Sequence, residues 1–299
     1  MVDVPCDPRA INIDFAAAVS TGGTTCPVTT NNLGGLGPTR GPQEMRYRAV
    51  GVVDRLKIDL VVRATTWYSG KVEANGCDGQ FGSLGMDEGT ATDFEFQFQD
   101  SSTGAPMVLP HYYFSFFDFD HGRGKEVLTA YSFDEFTMEG SPLVDLTSAE
   151  YVGNSTRLTA TWQSTVRASK DNNPKNPTML TGEQRRLSIT LAYVNTSTFK
   201  VRFEATGYAN MSQRTKKRGN RRLLFASKSN LVRPCPPSPP LPPSPSPSIP
   251  PPALPPSPLS PSPFPPPSPD PPMAPRPSPP PPSPRLPPLL PPPSPPTPP

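Results

Sequence analysis

Proline decides which part of this chain can fold. Of its 49 prolines, 10 fall in residues 1–233 and 39 in residues 234–299. More than half of the last 66 positions therefore lack a backbone donor and have a locked φ. That segment also offers scarcely any aliphatic or aromatic side chain to bury, so it is expected to stay a disordered, extended polyproline II rod. At roughly 3.1 Å per residue, residues 236–299 reach about 200 Å. The first 230 or so residues are long enough to bury a core. No stretch approaches the ~18–20 uninterrupted apolar residues of a spanning helix, so no membrane span is expected.

Within the first part the apolar period is two. Phe94, Phe96 and Phe98 alternate with Glu95 and Gln97, and Leu187, Ile189, Leu191 and Tyr193 with Ser188, Thr190 and Ala192. Phe199, Val201 and Phe203 do the same, as do Leu158, Ala160, Trp162, Ser164 and Val166. This is the pattern of half-buried strands. Further strands are expected in 11–18, 46–53, 56–67, 112–120, 127–138 and 223–226, with turn-rich connections at 21–41 and 74–89 and a long loop at 168–182. No window of a dozen residues reads as an amphipathic helix. Eight to ten strands predict an all-β domain over residues 1–212, an antiparallel β-sandwich of the jelly-roll kind, with an open barrel as the second choice.

The net charge of +3 conceals a segregation. Residues 214–233 carry eight basic side chains and no acid, from Arg214, Lys216, Lys217 and Arg218 to Arg233, and the segment beyond adds one net positive charge. Removing both from the total leaves −6 for residues 1–213. Residues 213–233 are therefore read as a basic hinge between domain and rod. An acidic domain beside one basic run lacks the basic face with interleaved aromatics of a nucleic-acid binder, so no nucleic acid is expected as a partner. The run itself fits a solvated hinge, a localisation or processing site, or an anchor for acidic polysaccharide.

Four cysteines, Cys6, Cys26, Cys77 and Cys235, include no Cys-x-x-Cys pair, which disfavours zinc and leaves two disulfides in three possible connectivities, or four buried thiols. Three sequons, at Asn154, Asn195 and Asn210, are acceptors for N-glycosylation in a secreted protein, whereas Asn176 is excluded by Pro177. Asp3 and Asp7 stand where a secretory leader has basic residues, and Asn12 and Asp14 interrupt the apolar stretch that follows, so no signal peptide is visible.

Chemistry is sparse in the globular half. Two histidines and the absence of nucleophile-elbow, zinc-helix and phosphate-loop motifs leave no catalytic set, and the chain is read as a non-enzyme. Asp134, Glu135 and Glu139 lie beside Tyr131, Phe133 and Phe136 and hold open the two-carboxylate chemistry of a glycosidase, though acids beside aromatics are also ordinary on strand faces. The sharpest local feature is the stretch from Phe114 to Glu126. A strand would put Asp118 and Asp120 on one face about 7 Å apart. With turn carbonyls and Glu126 these carboxylates suit Ca²⁺, a hard cation that takes oxygen ligands; the alternative is solvation, or pairing with Arg123 or Lys125. No other cofactor is indicated. For sugar binding, where aromatic rings stack on apolar sugar faces, the candidates are Trp67, Tyr68, Tyr112 and Tyr113, with Trp162 read as core.

In residues 236–299, 10 of 11 serines precede proline, as at Ser238, Ser246 and Ser268. This pattern, with the proline blocks at 265–267 and 279–282, resembles the hydroxyproline-rich glycoproteins of plant and algal walls, the extensins and pherophorin-type proteins. The resemblance covers residues 234–299 and implies hydroxylated prolines bearing arabinose or galactose, hence a glycosylated stalk in a cell wall or extracellular matrix, with polysaccharide or matrix glycoproteins as partners. Residues 81–83, 100–109 and 114–122 resemble a β-rich extracellular domain of algal and protist proteins, a likeness that implies no activity. A competing reading is an intracellular adaptor whose proline-rich tail binds SH3-, EVH1- or WW-type domains. Arg285 ahead of Pro288 and Pro291 fits an SH3 ligand, and Phe264 followed by three prolines nearly fits an EVH1 ligand.

Overall fold

The computed structural model describes residues 10–11, 13–15, 26–122, 124–167, 173–207 and 219–232. The chain divides into two units, residues 1–239 and 240–299, and the expected proline rod lies outside the described residues. Fourteen strands run in chain order through the described part: β1 (Val28–Asn31), β2 (Met45–Val53), β3 (Leu56–Ala64), β4 (Gly76–Asp78), β5 (Phe81–Asp87), β6 (Thr90–Asp100), β7 (Leu109–Phe117), β8 (Glu126–Phe133), β9 (Glu135–Thr137), β10 (Val144–Tyr151), β11 (Leu158–Ser164), β12 (Ile189–Thr196), β13 (Thr198–Ala205) and β14 (Asn220–Ala226). They form two antiparallel sheets, eight strands in the order β1-β2-β3-β6-β13-β8-β11-β10 and six in the order β4-β5-β14-β7-β12-β9. The molecule is thus an all-β sandwich, as its alternation predicts. Among the described residues no helix is long and apolar enough to cross a membrane.

Alternation along β6 puts Phe94, Phe96 and Phe98 on the inner face, all fully buried. Phe96 sits at the centre of the sandwich. It stacks on Phe199 of β13, its cross-strand partner, with ring centroids 4.8 Å apart. Across the gap between the sheets its edge contacts reach Phe114 at 5.5 Å, Phe116 at 6.3 Å and Phe225 at 5.3 Å. Aromatic pairs in these tilted geometries add to the ordinary gain from burying apolar surface.

Several segments depart from the sequence expectation for local physical reasons. Residues 74–89, read as a turn-rich connection, contain β4 and β5. The misleading residue is Gly82, which marks close packing and not a turn: a Cβ there would lie 2.2 Å from the Phe225 ring. The 127–138 strand divides at Asp134 into β8 of the larger sheet and β9 of the smaller, so the chain changes layers at that residue. The described residues of 11–18 are not a strand, although Ile13 and Phe15 enter the core. In the expected long loop, the described part forms a 3-10 turn at Pro177–Met179, and a five-residue helix, α1 (Gly182–Arg186), follows, started by a Thr181–Gln184 capping box.

The largest correction concerns the basic hinge. Residues 220–226 of it form β14, which pairs with β5 on one side and β7 on the other inside the smaller sheet. Residues 208–218 lie outside the described residues. Of the possible disulfides, Cys26–Cys77 is formed, with Cα atoms 5.6 Å apart, tying the entry of β1 in the larger sheet to β4 in the smaller. Cys6 and Cys235 lie outside the described residues.

Truncating Phe96 removes the ring that both sheets share. Phe96→Ala should lower unfolding free energy by about 3–5 kcal/mol, measured by urea denaturation, whereas Tyr151→Ala, at an exposed strand end, should change it by no more than about 0.5 kcal/mol.

Candidate functional site

Of the four rings expected to meet a sugar, only Trp67 faces solvent, at 66% exposure. It follows the end of β3 in a segment held on both flanks. Thr65 N–H donates to the Asp93 carbonyl (2.8 Å), Asp93 N–H to Thr66 Oγ1 (2.9 Å) and Thr92 Oγ1 to the Trp67 carbonyl (2.9 Å). Its backbone is fixed while its ring stands clear. Tyr68, one residue on, turns inward: its ring packs over Gly34, where a Cβ would lie 2.8 Å from Tyr68 Cδ1, and its hydroxyl donates to the Gly85 carbonyl (2.7 Å). Burial pushes the Tyr68 phenol up to about 12.

Tyr112 is fully buried, stacked on Tyr193 at 5.2 Å and edge-on to Phe98 at 4.9 Å. Tyr113 is buried against His111 at 4.8 Å. These rings belong to the interior because every residue of β7 from Tyr112 to Phe117 is buried, a run that strand alternation alone does not reveal. Trp162 is core, as expected.

Of the three expected calcium ligands, Asp120 and Glu126 meet on a guanidinium, with Asp118 beside them. β7 ends at Phe117, and Asp118 takes a left-handed backbone (φ 64°), which ends the strand geometry expected for Asp118 and Asp120. Glu126 begins β8. Arg221 of β14 donates from Nε to Glu126 Oε1 (2.6 Å) and from Nη2 to both the Asp120 carbonyl (3.1 Å) and the Asp120 carboxylate. The nearby glycines serve close approach: a Cβ on Gly122 would meet Arg221 Nη1 at 3.1 Å, and one on Gly124 would collide with the Thr206 carbonyl at 1.6 Å. Among the described residues no three His, Cys, Asp or Glu side chains are arranged to hold a metal ion. The Lys125 backbone N–H donates to Thr206 Oγ1 (2.6 Å), no ion pair joins Lys125 to these carboxylates among the described residues, and Arg123 lies outside them.

Burial raises the Asp120 and Glu126 carboxyls, and the charge of Arg221 opposes it in both. For Arg221, burial works against the charged form, but Glu126 and Asp120 outweigh it and the pKa rises. Asp118 stands apart. Its Oδ1 is buried without a hydrogen-bond partner, and its carboxyl is pushed up to about 7, first by burial and then by the Asp120 charge. Arg221 and Lys175 act against that rise, and Asp78 adds to it. Arg221 was the residue the sequence reading missed. The available signal was its phase with Leu223 and Phe225 on a strand whose neighbours are buried.

The glycosidase candidates are separated. Asp134 accepts the Val194 N–H (2.8 Å) and faces Arg157 (3.8 Å), Glu139 pairs with Arg185 (2.8 Å), and Glu135 is exposed on β9. Asn154 and Asn195 are exposed in the turns after β10 and at the end of β12, and Asn210 lies outside the described residues.

No protein-family model matches the chain, and no curated protein matches it. Among solved structures it is similar to the N-terminal domain of the Streptococcus gordonii adhesin Sgo0707, with 8% identity and a TM-score of 0.39 over 64% of this chain and 48% of that one. The chain thus spans about half the length of the solved chain it matches.

Asp118 sets a pH dependence. Its folded carboxyl holds a proton up to about 7, against an ordinary value of 3.8. Between those values the native state binds more protons than the unfolded chain, so stability falls as pH rises through the window. Asp118→Asn keeps a residue that tolerates the left-handed backbone and removes the charge. It should be about 2–4 kcal/mol more stable than the parent at pH 8 and nearly equal to it at pH 4, as read from urea midpoints. A difference that does not vary with pH would contradict this assignment.

Proposed function

We propose that the chain is a structural protein of an extracellular matrix or cell wall, in which the sandwich head contacts polysaccharide or matrix glycoprotein and the proline-rich segment acts as a glycosylated stalk. The observation that carries this reading is the Cys26–Cys77 disulfide, because such bonds persist in oxidising compartments. Exposed sequon asparagines at 154 and 195 support it, as does the Ser-Pro pattern of the last 64 residues. The contact residue is Trp67. A large ring on an anchored backbone stacks on the apolar face of a sugar with little entropy left to lose. Tyr68, Tyr112 and Tyr113, being buried, contribute packing beneath the surface.

Two measurements test this. Trp67→Ala should weaken retention on wall polysaccharide by about tenfold or more while leaving the unfolding midpoint unchanged; unaltered retention counts against Trp67. Mass spectrometry of the native protein should find hydroxyproline and pentose on residues 236–299, and an unmodified segment together with reduced Cys26 and Cys77 would overturn the extracellular assignment.

A further inference from the structure

Both sheets end in edge strands, and three of the four are short. β1 has four residues, β4 and β9 three each, and β4 is tied by the disulfide. The fourth, β10, is eight residues long and pairs only with β11. Seven of its eight residues are exposed. A long open edge presents a row of unpaired backbone N–H and C=O groups, which native proteins ordinarily blunt with lysine, proline or a cover. β10 contains no lysine, arginine or proline, and among the described residues nothing covers it.

Its two faces differ. Leu146, Ala149 and Tyr151 stand opposite Trp162, Ala160 and Leu158 of β11, so they continue the inner, apolar face of the larger sheet; a bulge between Leu146 and Ser148 returns Ala149 to that face. Trp162 and Ala160 are fully buried, yet Leu146 is 40% and Tyr151 68% exposed, because the smaller sheet has six strands against eight. The other face carries Asp145 and Glu150, opposite Gln163 and Thr159, and neither acid has an ion-pair partner among the described residues.

We propose that β10 is a docking edge for a strand from a partner protein, an extended segment in which apolar residues alternate with lysine or arginine. Backbone hydrogen bonds would extend the larger sheet, the partner's apolar side chains would prolong the Leu146–Ala149–Tyr151 face, and its cations would lie beside Asp145 and Glu150. Charge selects this occupant over a second copy of the chain, since pairing two β10 strands brings four carboxylates together with no cation. The surface is independent of Trp67 and holds whether or not that residue meets a sugar.

The test uses the full chain and a labelled ten-residue peptide alternating valine with lysine, followed by fluorescence anisotropy and hydrogen exchange. Binding with slowed exchange confined to β10 is expected. Asp145→Lys with Glu150→Lys should weaken it at least tenfold and reverse preference toward a valine–glutamate peptide. Leu146→Asp, a second variant at a separate exposed position, should also weaken binding with the unfolding midpoint unchanged. The proposal is overturned by no binding, by equal binding of a peptide whose lysines are clustered in one block, which would signify general attraction to the acidic domain, or by protection outside β10. Concentration-dependent dimerisation in sedimentation that Tyr151→Asp abolishes would identify a second copy as the occupant and overturn it equally.

Discussion

The contact on which the rest of the head depends is the aromatic seam around Phe96, where β6 and β13 of one sheet meet β7 and β14 of the other. Each sheet has one strongly apolar face, and neither is stable while that face meets water. The seam satisfies both at once and sets the register of the central strands, since Phe96 and Phe199 are direct cross-strand partners. A one-residue slip would turn every ring of β6 to the solvent side.

β14 shows how a second constraint is laid over the first. Phe225 anchors it in the seam, and four residues earlier Arg221 enters the boundary with two buried carboxylates. The pair ties the last described strand to the β7–β8 connection. Buried pairs of this sort add little net stability when intact but are costly to break, because the surviving charge is stranded. The same cluster leaves Asp118 with a carboxylate oxygen unpaired and its carboxyl raised, so it adds to the proton sensitivity that burial gives Asp120 and Glu126.

Strand-forming segments were legible where one face is buried and the other wet: β6, β11 and β13 all appear as clean alternation, and β12 alternates in sequence although its first five residues are all buried. Outside that regime either the strand or its burial was missed. β7 is buried on both faces, and from Tyr112 onward its aromatic residues look like a ligand platform when they are core. β10 is exposed on both faces and shows no period. β5 contains two glycines whose role is to admit neighbouring atoms, and such residues imitate turns in a one-dimensional reading. Among the expected site residues, Trp67 keeps its exposure, and Asp120 and Glu126 do converge, but on an arginine about 100 positions away in the chain, while Asp118 stays unpaired beside them.

The sequence by itself determined the class of the fold, the separation of a foldable part from a proline-saturated one, and the pool of aromatic residues from which the core is drawn. Those follow from local properties: the two-residue period of a strand and the missing donor of proline. Only the tertiary structure decided which cysteines join, which tyrosines are buried, that the strand in the basic run is paired on both sides within the smaller sheet, and that β10 is left without a neighbour on its outer side. Each depends on pairing between segments far apart in the chain, where burial is set by what packs on top of a residue and not by the residue's own chemistry.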